Sequence, residues 1–485
     1  MTNWKIEITN PSLGGYAPGW YYDSYPNYGN ANQAGDMTNC DLTNPASITQ
    51  GPGLSTLTSG TEAGNVTTLI KGISRVPTSS DLAFAVGGAK LYEITSTAVS
   101  TKASDPALPH TISQDGGETG EDVCYFQGNL YYSYNQTGQA MGDVGKYDLT
   151  RDAEGDFDDD WLSQVPTGKF DLTNDVPHPL LAAGNDYMYI GNGRYVSSWD
   201  GTTATEQDLD LPTGSEITDL EWNDNRLFIA ANYPNLTGTN NNNASIFIWD
   251  GNADSWETEI KVQGRIGALH VKNGVVFVFY QDISYTGGYK LGYINGNSIT
   301  DLAHFKGALP LYYQTCTYKD FIIWVGSDVI YAWGGGGKDI PVRSFQLADG
   351  GYSTVGGLGI PFGTPFVASN QSTSYKLAKF SGYDVNSAWK SLCFQVGEST
   401  ISKMKVYHDT LGASAQADFT ITYDRGSGTN TAGLNLTADT DNTHTFDIGQ
   451  RVINDFRVDI SWANGSATNP VKINKIEFYG TKQSD

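Results

Sequence analysis

YMYIG at Tyr187–Gly191, LFIAA at Leu227–Ala231, VVFVF at Val275–Phe279 and FIIWV at Phe321–Val325 are four copies of one short apolar strand. Each follows a polar turn: Asn185-Asp186, Asn223-Asp224-Asn225, Lys272-Asn273-Gly274 and Lys319-Asp320. Each is followed, after a loop of varied length, by a second strand with an aromatic near its end and then a tight turn: SSWDG to Gly201, FIWDG to Gly251, GYING to Gly296, YAWGG to Gly335. A unit this size cannot bury its apolar faces alone, so a repeat of it implies stacking into an array.

Working outward, LAFAV from Leu82, LYYSY from Leu130 and the weaker Pro365-Phe366-Val367 extend the series. Anchors at Leu82, Leu130, Tyr187, Leu227, Val275, Phe321 and Phe366 are spaced 48, 57, 40, 48, 46 and 45 residues apart. That is about one four-stranded blade each, so the sequence predicts an all-β fold with a β-propeller over residues 63–385, of about seven blades. Six or eight fit the weak end copies too. The Trp-Asp-Gly and Ile-Asn-Gly turns are explained by their tolerance of positive φ, with no ligand needed.

Past residue 385 the pattern changes to longer alternating strands, such as Asp418-Phe419-Thr420-Ile421-Thr422-Tyr423 and Phe456-Arg457-Val458-Asp459-Ile460-Ser461-Trp462. Strict alternation suits sheets covered on one side, so residues 386–485 are expected to form a β-sandwich of jelly-roll kind. Residues 1–62 show neither period. Their Pro, Gly and Tyr content predicts an extended N-terminal arm that either closes over its own domain or reaches into a neighbouring subunit, with Tyr16, Trp20, Tyr21, Tyr25 and Tyr28 as candidates for subunit docking.

Of 485 residues, 29 are basic and 53 acidic, a formal charge of −24. This disfavours nucleic acid and anionic membrane surfaces as partners. No 18-residue apolar run predicts a membrane insertion, and MTNWKIEITN has no signal-peptide pattern. Four scattered cysteines lack metal or redox spacing and read as free thiols.

Signals for chemistry are sparse. The six histidines are isolated, and Gly334–Gly337 before Lys338 lacks phosphate-loop spacing. In the acidic run RDAEGDFDDDW, Asp156, Asp158 and Asp160 alternate and are the candidate calcium ligands, although the EF-hand glycine and closing glutamate are missing. Otherwise no cofactor is expected. Two alternatives to a purely structural role are kept. A lectin-like protein would stack sugars on Trp199, Trp249 or Trp333, whose strand-end positions also suit blade core. A propeller-type glycoside hydrolase would use carboxylates such as Asp219, Glu221, Asp328 or Asp384.

The leader carries a resemblance. Gly14-Gly15-Tyr16, a Tyr/Pro/Asn stretch, Gln33-Ala34-Gly35-Asp36-Met37-Thr38-Asn39-Cys40-Asp41-Leu42 and Gln50-Gly51-Pro52-Gly53-Leu54 resemble the opening of virion structural proteins of tailed bacteriophages that enter a β-propeller. The resemblance implies a non-enzymatic component of a tail or its host-attachment apparatus, assembled in the host cytoplasm. It further implies other virion proteins as partners, homo-oligomerisation in a symmetric assembly, and a C-terminal sandwich free to touch a partner or a host-surface glycan. It carries over no catalytic or binding residue.

Overall fold

The computed structural model describes residues 2–8, 34–38, 40–41, 48–51, 53–59, 66, 68–100, 110–111, 117–137, 141–149, 157–158, 160–234, 243–282, 287–326, 329–334, 342–346, 352–371, 374–381, 387–391, 393–411, 415–424, 428–430, 434–437, 441–463 and 471–482. Among these the fold is nearly all β. The α-helical content is one turn, Trp161–Gln164, and no helix is long and apolar enough to cross a membrane.

The polar turns of the repeat do what their residues allow. Asp186, Asp224, Asn225, Asn273 and Lys319 take positive φ, as do Gly201, Gly251, Gly296 and Gly334 after the second strands. Asp200 and Asp250 each accept two backbone N–H groups just ahead in their turns, Thr202 and Thr203 at 2.7 Å for the first, Asn252 and Ala253 at 2.9 Å for the second. The hairpins so closed assemble into successive antiparallel sheets. The first runs through Ile73–Arg75, Ala83–Gly87, Lys90–Ile94 and Ala98–Ser100, and the second through Glu118–Phe126, Asn129–Gln136, Met141–Tyr147 and Phe157–Asp158. The third begins at Leu180–Ala182, the fourth at Glu216–Asn223, the fifth at Gly264–Lys272, the sixth at Thr315–Tyr318 and the seventh at Tyr352–Gly359. Each sequence anchor falls in the second strand of its sheet or one residue before it. The first strand of each sheet lies against the first strand of the next, and the seventh against the first, so the first strands form a closed ring in a propeller-like array.

Two further sheets face each other. One orders Cys40–Asp41, Ile48–Gln50, Lys472–Lys482, Ser399–His408 and Thr443–Val452. The other orders Ala34–Thr38, Ala388–Ser391, Asp455–Ala463, Gln416–Tyr423 and Gly428–Asn430. The alternation read from the sequence sets the inner face: Phe419, Ile421, Phe456, Val458, Ile460 and Trp462 are buried while Arg457 and Asp459 are not. Phe456 meets Phe478 of the opposite sheet edge-on at 4.8 Å. One buried apolar cluster runs from this interior into the sixth and seventh sheets through Phe321, Ile323, Val355 and Leu358.

The described parts of the leader lie on the chain's own sheets as short strands. Thr2–Ile8 pairs antiparallel with Ile476–Lys482, Ala34–Thr38 with Ala388–Ser391, Ile48–Thr49 with Lys472–Ile473, and Leu54–Thr56 supplies the fourth strand of the seventh sheet. These strands are short and their partners are more than 300 residues away, so no local hairpin signal marks them. Trp4 stacks toward Phe456 with rings 6.1 Å apart, and it fits only because position 480 is glycine: a Cβ there would lie 2.1 Å from the indole. On the opposite face Glu477 is buried and takes Lys5 at 2.8 Å, Lys475 at 2.5 Å and the Tyr479 hydroxyl at 2.6 Å. These partners hold its carboxyl well below the usual range against the opposing effect of burial.

Ile8 is fully buried in the shared cluster. Ile8→Ala is therefore expected to lower stability by about 3 kcal/mol, in the range for emptied core aliphatics, measured by chemical denaturation. A dangling arm would show no change.

Candidate functional site

Along the ring, one local device recurs. The first strands of the second and fourth sheets bulge at Gly120/Asp122 and Ile217/Asp219, and each bulge turns an aspartate toward the next sheet. Asp122 accepts its neighbour Val123 N–H at 2.8 Å and Leu180 N–H of the third sheet at 2.9 Å. Asp219 accepts Leu220 N–H at 2.7 Å and Leu269 N–H of the fifth sheet at 2.6 Å. The fifth sheet has the same bulge at Ile266/Ala268, with alanine in place of the acid. Burial pushes Asp122 up to about 7 and Asp219 well above the carboxylate range, the backbone donors opposing it. These two acids fasten sheet to sheet.

Two residues beyond Asp219, Glu221 is pushed up to about 8 by burial, and on the next strand burial pushes His270 down to about 4. Glu221 Oε1 lies 3.9 Å from His270 Nδ1, and His270 Nε2 lies 2.7 Å from Thr317 Oγ1. Burial disfavours the charged form of both groups, which weakens the first contact as an ion pair. Of the carboxylates named for a hydrolase, Asp219 is engaged on both oxygens and burial pushes Glu221 toward its protonated form. Asp328 and Asp384 lie outside the described residues.

A cavity of about 530 Å³ opens where the first strands of several sheets begin. Its lining comes from several sheets: Lys71 ahead of the first, Glu121 from the second, Glu216 from the fourth, Arg265 from the fifth, and Leu309 to Tyr313 from the connection between fifth and sixth. That connection reaches across the ring. The Tyr312 hydroxyl donates to the Glu121 carbonyl at 3.0 Å, and the Gln314 amide donates to the Val355 carbonyl of the seventh sheet at 2.9 Å. Gly267 makes room for it, since a Cβ there would sit 2.1 Å from the Pro310 carbonyl.

Lys71 Nζ meets Glu121 Oε1 at 2.5 Å, and Asn135 Nδ2 reaches the same oxygen at 3.3 Å. Glu216 is half-buried beside the exposed Arg265; burial raises its pKa and the guanidinium opposes the shift. Arg265 makes no hydrogen bond among the described residues. The Tyr312 and Tyr313 rings stand edge-to-face, 5.0 Å apart at 83°. Burial pushes Tyr313 up to about 12.

The structure brings together different residues from those the sequence singles out. Asp160 accepts the Tyr134 hydroxyl at 2.8 Å and the Gln164 amide at 3.1 Å, Asp158 lies in a strand opposite Lys146, and Asp156 is outside the described residues. Among the described residues no three His, Cys, Asp or Glu side chains group as a metal site would. Tyr16, Trp20, Tyr21, Tyr25 and Tyr28 are likewise outside them. Trp199 packs on Trp161 at 4.9 Å, Trp249 is fully buried with its Nε1 donating to Ala253 O, and Trp333 packs on Phe277 at 4.8 Å. No disulfide joins the four cysteines; Cys40 and Cys124 are buried, Cys316 and Cys393 half-buried. The sequence signal for the cavity was Pro310-Leu311-Tyr312-Tyr313, an apolar-aromatic insertion where the repeat expects a polar connection.

No family model matches the chain, and no curated protein does. Among solved structures it is similar to a glucose dehydrogenase, at 13% identity and a TM-score of 0.36 over 68% of this chain and 99% of that one. It is similar also to the extracellular domain of a protein described as a hybrid two component system of B. thetaiotaomicron, at 11% identity and a TM-score of 0.49 over 93% of this chain and 62% of that one. An exo-beta-1,3-galactanase from Phanerochaete chrysosporium gives 9% and 0.30, over 89% of this chain and 100% of that one. At these values none of their activities is carried over.

Folding raises the pKa of Glu221, so the native state keeps a proton that the unfolded chain loses above about pH 4.5. The stability this contributes is full below that pH and is lost as pH rises through about 8. Glu221→Gln, which mimics the protonated acid, should leave stability near pH 4.5 unchanged. At pH 8.5 it should raise it by at least about 1 kcal/mol, roughly one pKa unit. Urea midpoints across this range test it; a parallel loss at both ends would place a needed charge on Glu221.

Proposed function

We propose that this chain is a non-enzymatic structural protein of a tailed-bacteriophage particle, part of its tail or host-attachment apparatus. In this reading the seven sheets are the blades of one propeller, a rigid platform, and the two facing sheets are a jelly-roll-like sandwich that contacts a partner or the host surface. One observation carries it: the leader segment that resembles the phage proteins is the segment that joins both modules. Its strands Ala34–Thr38, Cys40–Asp41 and Ile48–Gln50 enter the two facing sheets, and Leu54–Thr56 completes the seventh sheet. A sequence motif tied to such a position is a mark of the whole architecture.

Further support comes from the way the buried acids are used. Asp122 and Asp219 are committed to backbone N–H groups of the next sheet, which suits a scaffold. Tyr16, Trp20, Tyr21, Tyr25 and Tyr28 fall between Ile8 and Ala34, strand residues whose sheets face each other, so a virion subunit docked there would be coupled to both. Homo-oligomerisation and assembly in the host cytoplasm belong to the same reading.

Antibody raised to the chain should label one fixed locus on purified virions by immunogold electron microscopy, and mass photometry should show a discrete oligomer. A monomer absent from every particle preparation would sink the proposal.

A further inference from the structure

We infer that the cavity at the mouth of the ring is a binding site for the end of an uncharged glycan. The inference rests on reading the chain as a non-enzymatic binding platform and is independent of whether a virion carries it. The volume, about 530 Å³, suits a ligand of a few sugar rings and excludes a folded partner. The charges that line it balance: Lys71 pairs with Glu121, and Glu216 and Arg265 add one of each sign. The site therefore has no net charge of its own and lies in a chain of formal charge −24, which repels an anion on approach. Matched charges offer donors and acceptors side by side, the pattern that vicinal hydroxyls satisfy. Arg265, exposed and without a hydrogen bond among the described residues, is the donor ready for a ligand oxygen; Glu216 is the nearby acceptor.

The aromatic wall supplies the rest. Sugars bury their C–H faces on aromatic rings, and Tyr313 stands in the lining with Tyr312 braced edge-on against it. Tyr312 is itself fixed by its bond to the Glu121 carbonyl across the ring, so the wall is formed before any ligand arrives. Trp199 and Trp249 are buried and Trp333 packs half-buried on Phe277, whereas these tyrosines line the cavity.

Saturation-transfer NMR on the full chain would use maltotriose, lactose, mannotriose and chitotriose as neutral probes, and sialyllactose and trigalacturonate as acidic ones. At least one neutral probe should take up saturation. Tyr313→Ala should weaken it about tenfold, and Arg265→Ala and Glu216→Gln at least about threefold, each with an unchanged circular dichroism spectrum. Arg265 is exposed, so its variant keeps the test available should Tyr313→Ala misfold. Transfer to no neutral probe at millimolar concentration, to acidic probes alone, or transfer indifferent to all three substitutions would overturn the inference. None of these results bears on labelling of particles, which judges the virion reading separately.

Discussion

The structure depends on hydrogen bonds between the two ends of the chain. Leu54–Thr56 gives the seventh sheet its outer strand by pairing with Ala378–Phe380, and Thr2–Ile8 pairs with Ile476–Lys482. A ring of sheets has two open faces until its last sheet meets its first, and each open face would expose apolar surface equal to a sheet-to-sheet contact. Closure therefore couples every sheet to the strand that completes the last one. The cost is entropic, since partners more than 300 residues apart must meet, but closure entropy rises only with the logarithm of loop length. The consequence is mainly kinetic: the ring can be completed only after the distant strands have found each other.

Inside the ring the same problem recurs sheet by sheet, and it is met with carboxylates. A bulge leaves backbone N–H groups without ladder partners, and a buried unpaired donor costs about 1–3 kcal/mol. Asp122 and Asp219 each satisfy one such group on their own strand and one on the next. Burial of the acid is tolerable because both its oxygens accept backbone N–H groups, which oppose the rise in pKa that burial causes. Asn232 adds to the fourth–fifth junction by clipping Ile266 through its amide N and O at 2.9 Å. Where Ala268 stands in place of the acid, the fifth sheet reaches the sixth through His270 and Thr317.

What the sequence made legible follows from the range of the interactions involved. Turn residues with positive φ and apolar runs act within ten residues, so the hairpins from Asp186 to Lys319 and their anchors could be read directly. Alternation in Asp418–Tyr423 is equally local and correctly named the inward Phe419 and Ile421. The leader was not legible, because its strands are short and the sheets that specify them lie at the far end of the chain. Thr2–Ile8 did carry an alternating Trp4, Ile6, Ile8, a signal too brief to separate from chance. The site was opaque for another reason. Asp219 has the chemistry of a catalytic acid and serves as a fastener, a difference set by the Leu269 N–H, which is distant in sequence.

These levels meet at the mouth of the ring. The wall of the cavity is a connection of the fifth and sixth sheets, yet its two anchors are carbonyls of the second and seventh, Glu121 and Val355. Its position is therefore set by the diameter of the ring and by the register of its last sheet, which the strand Leu54–Thr56 completes. The lining is preorganised to the degree that the ring is closed, so the same distant pairing that stabilises the fold also holds the shape of the cavity.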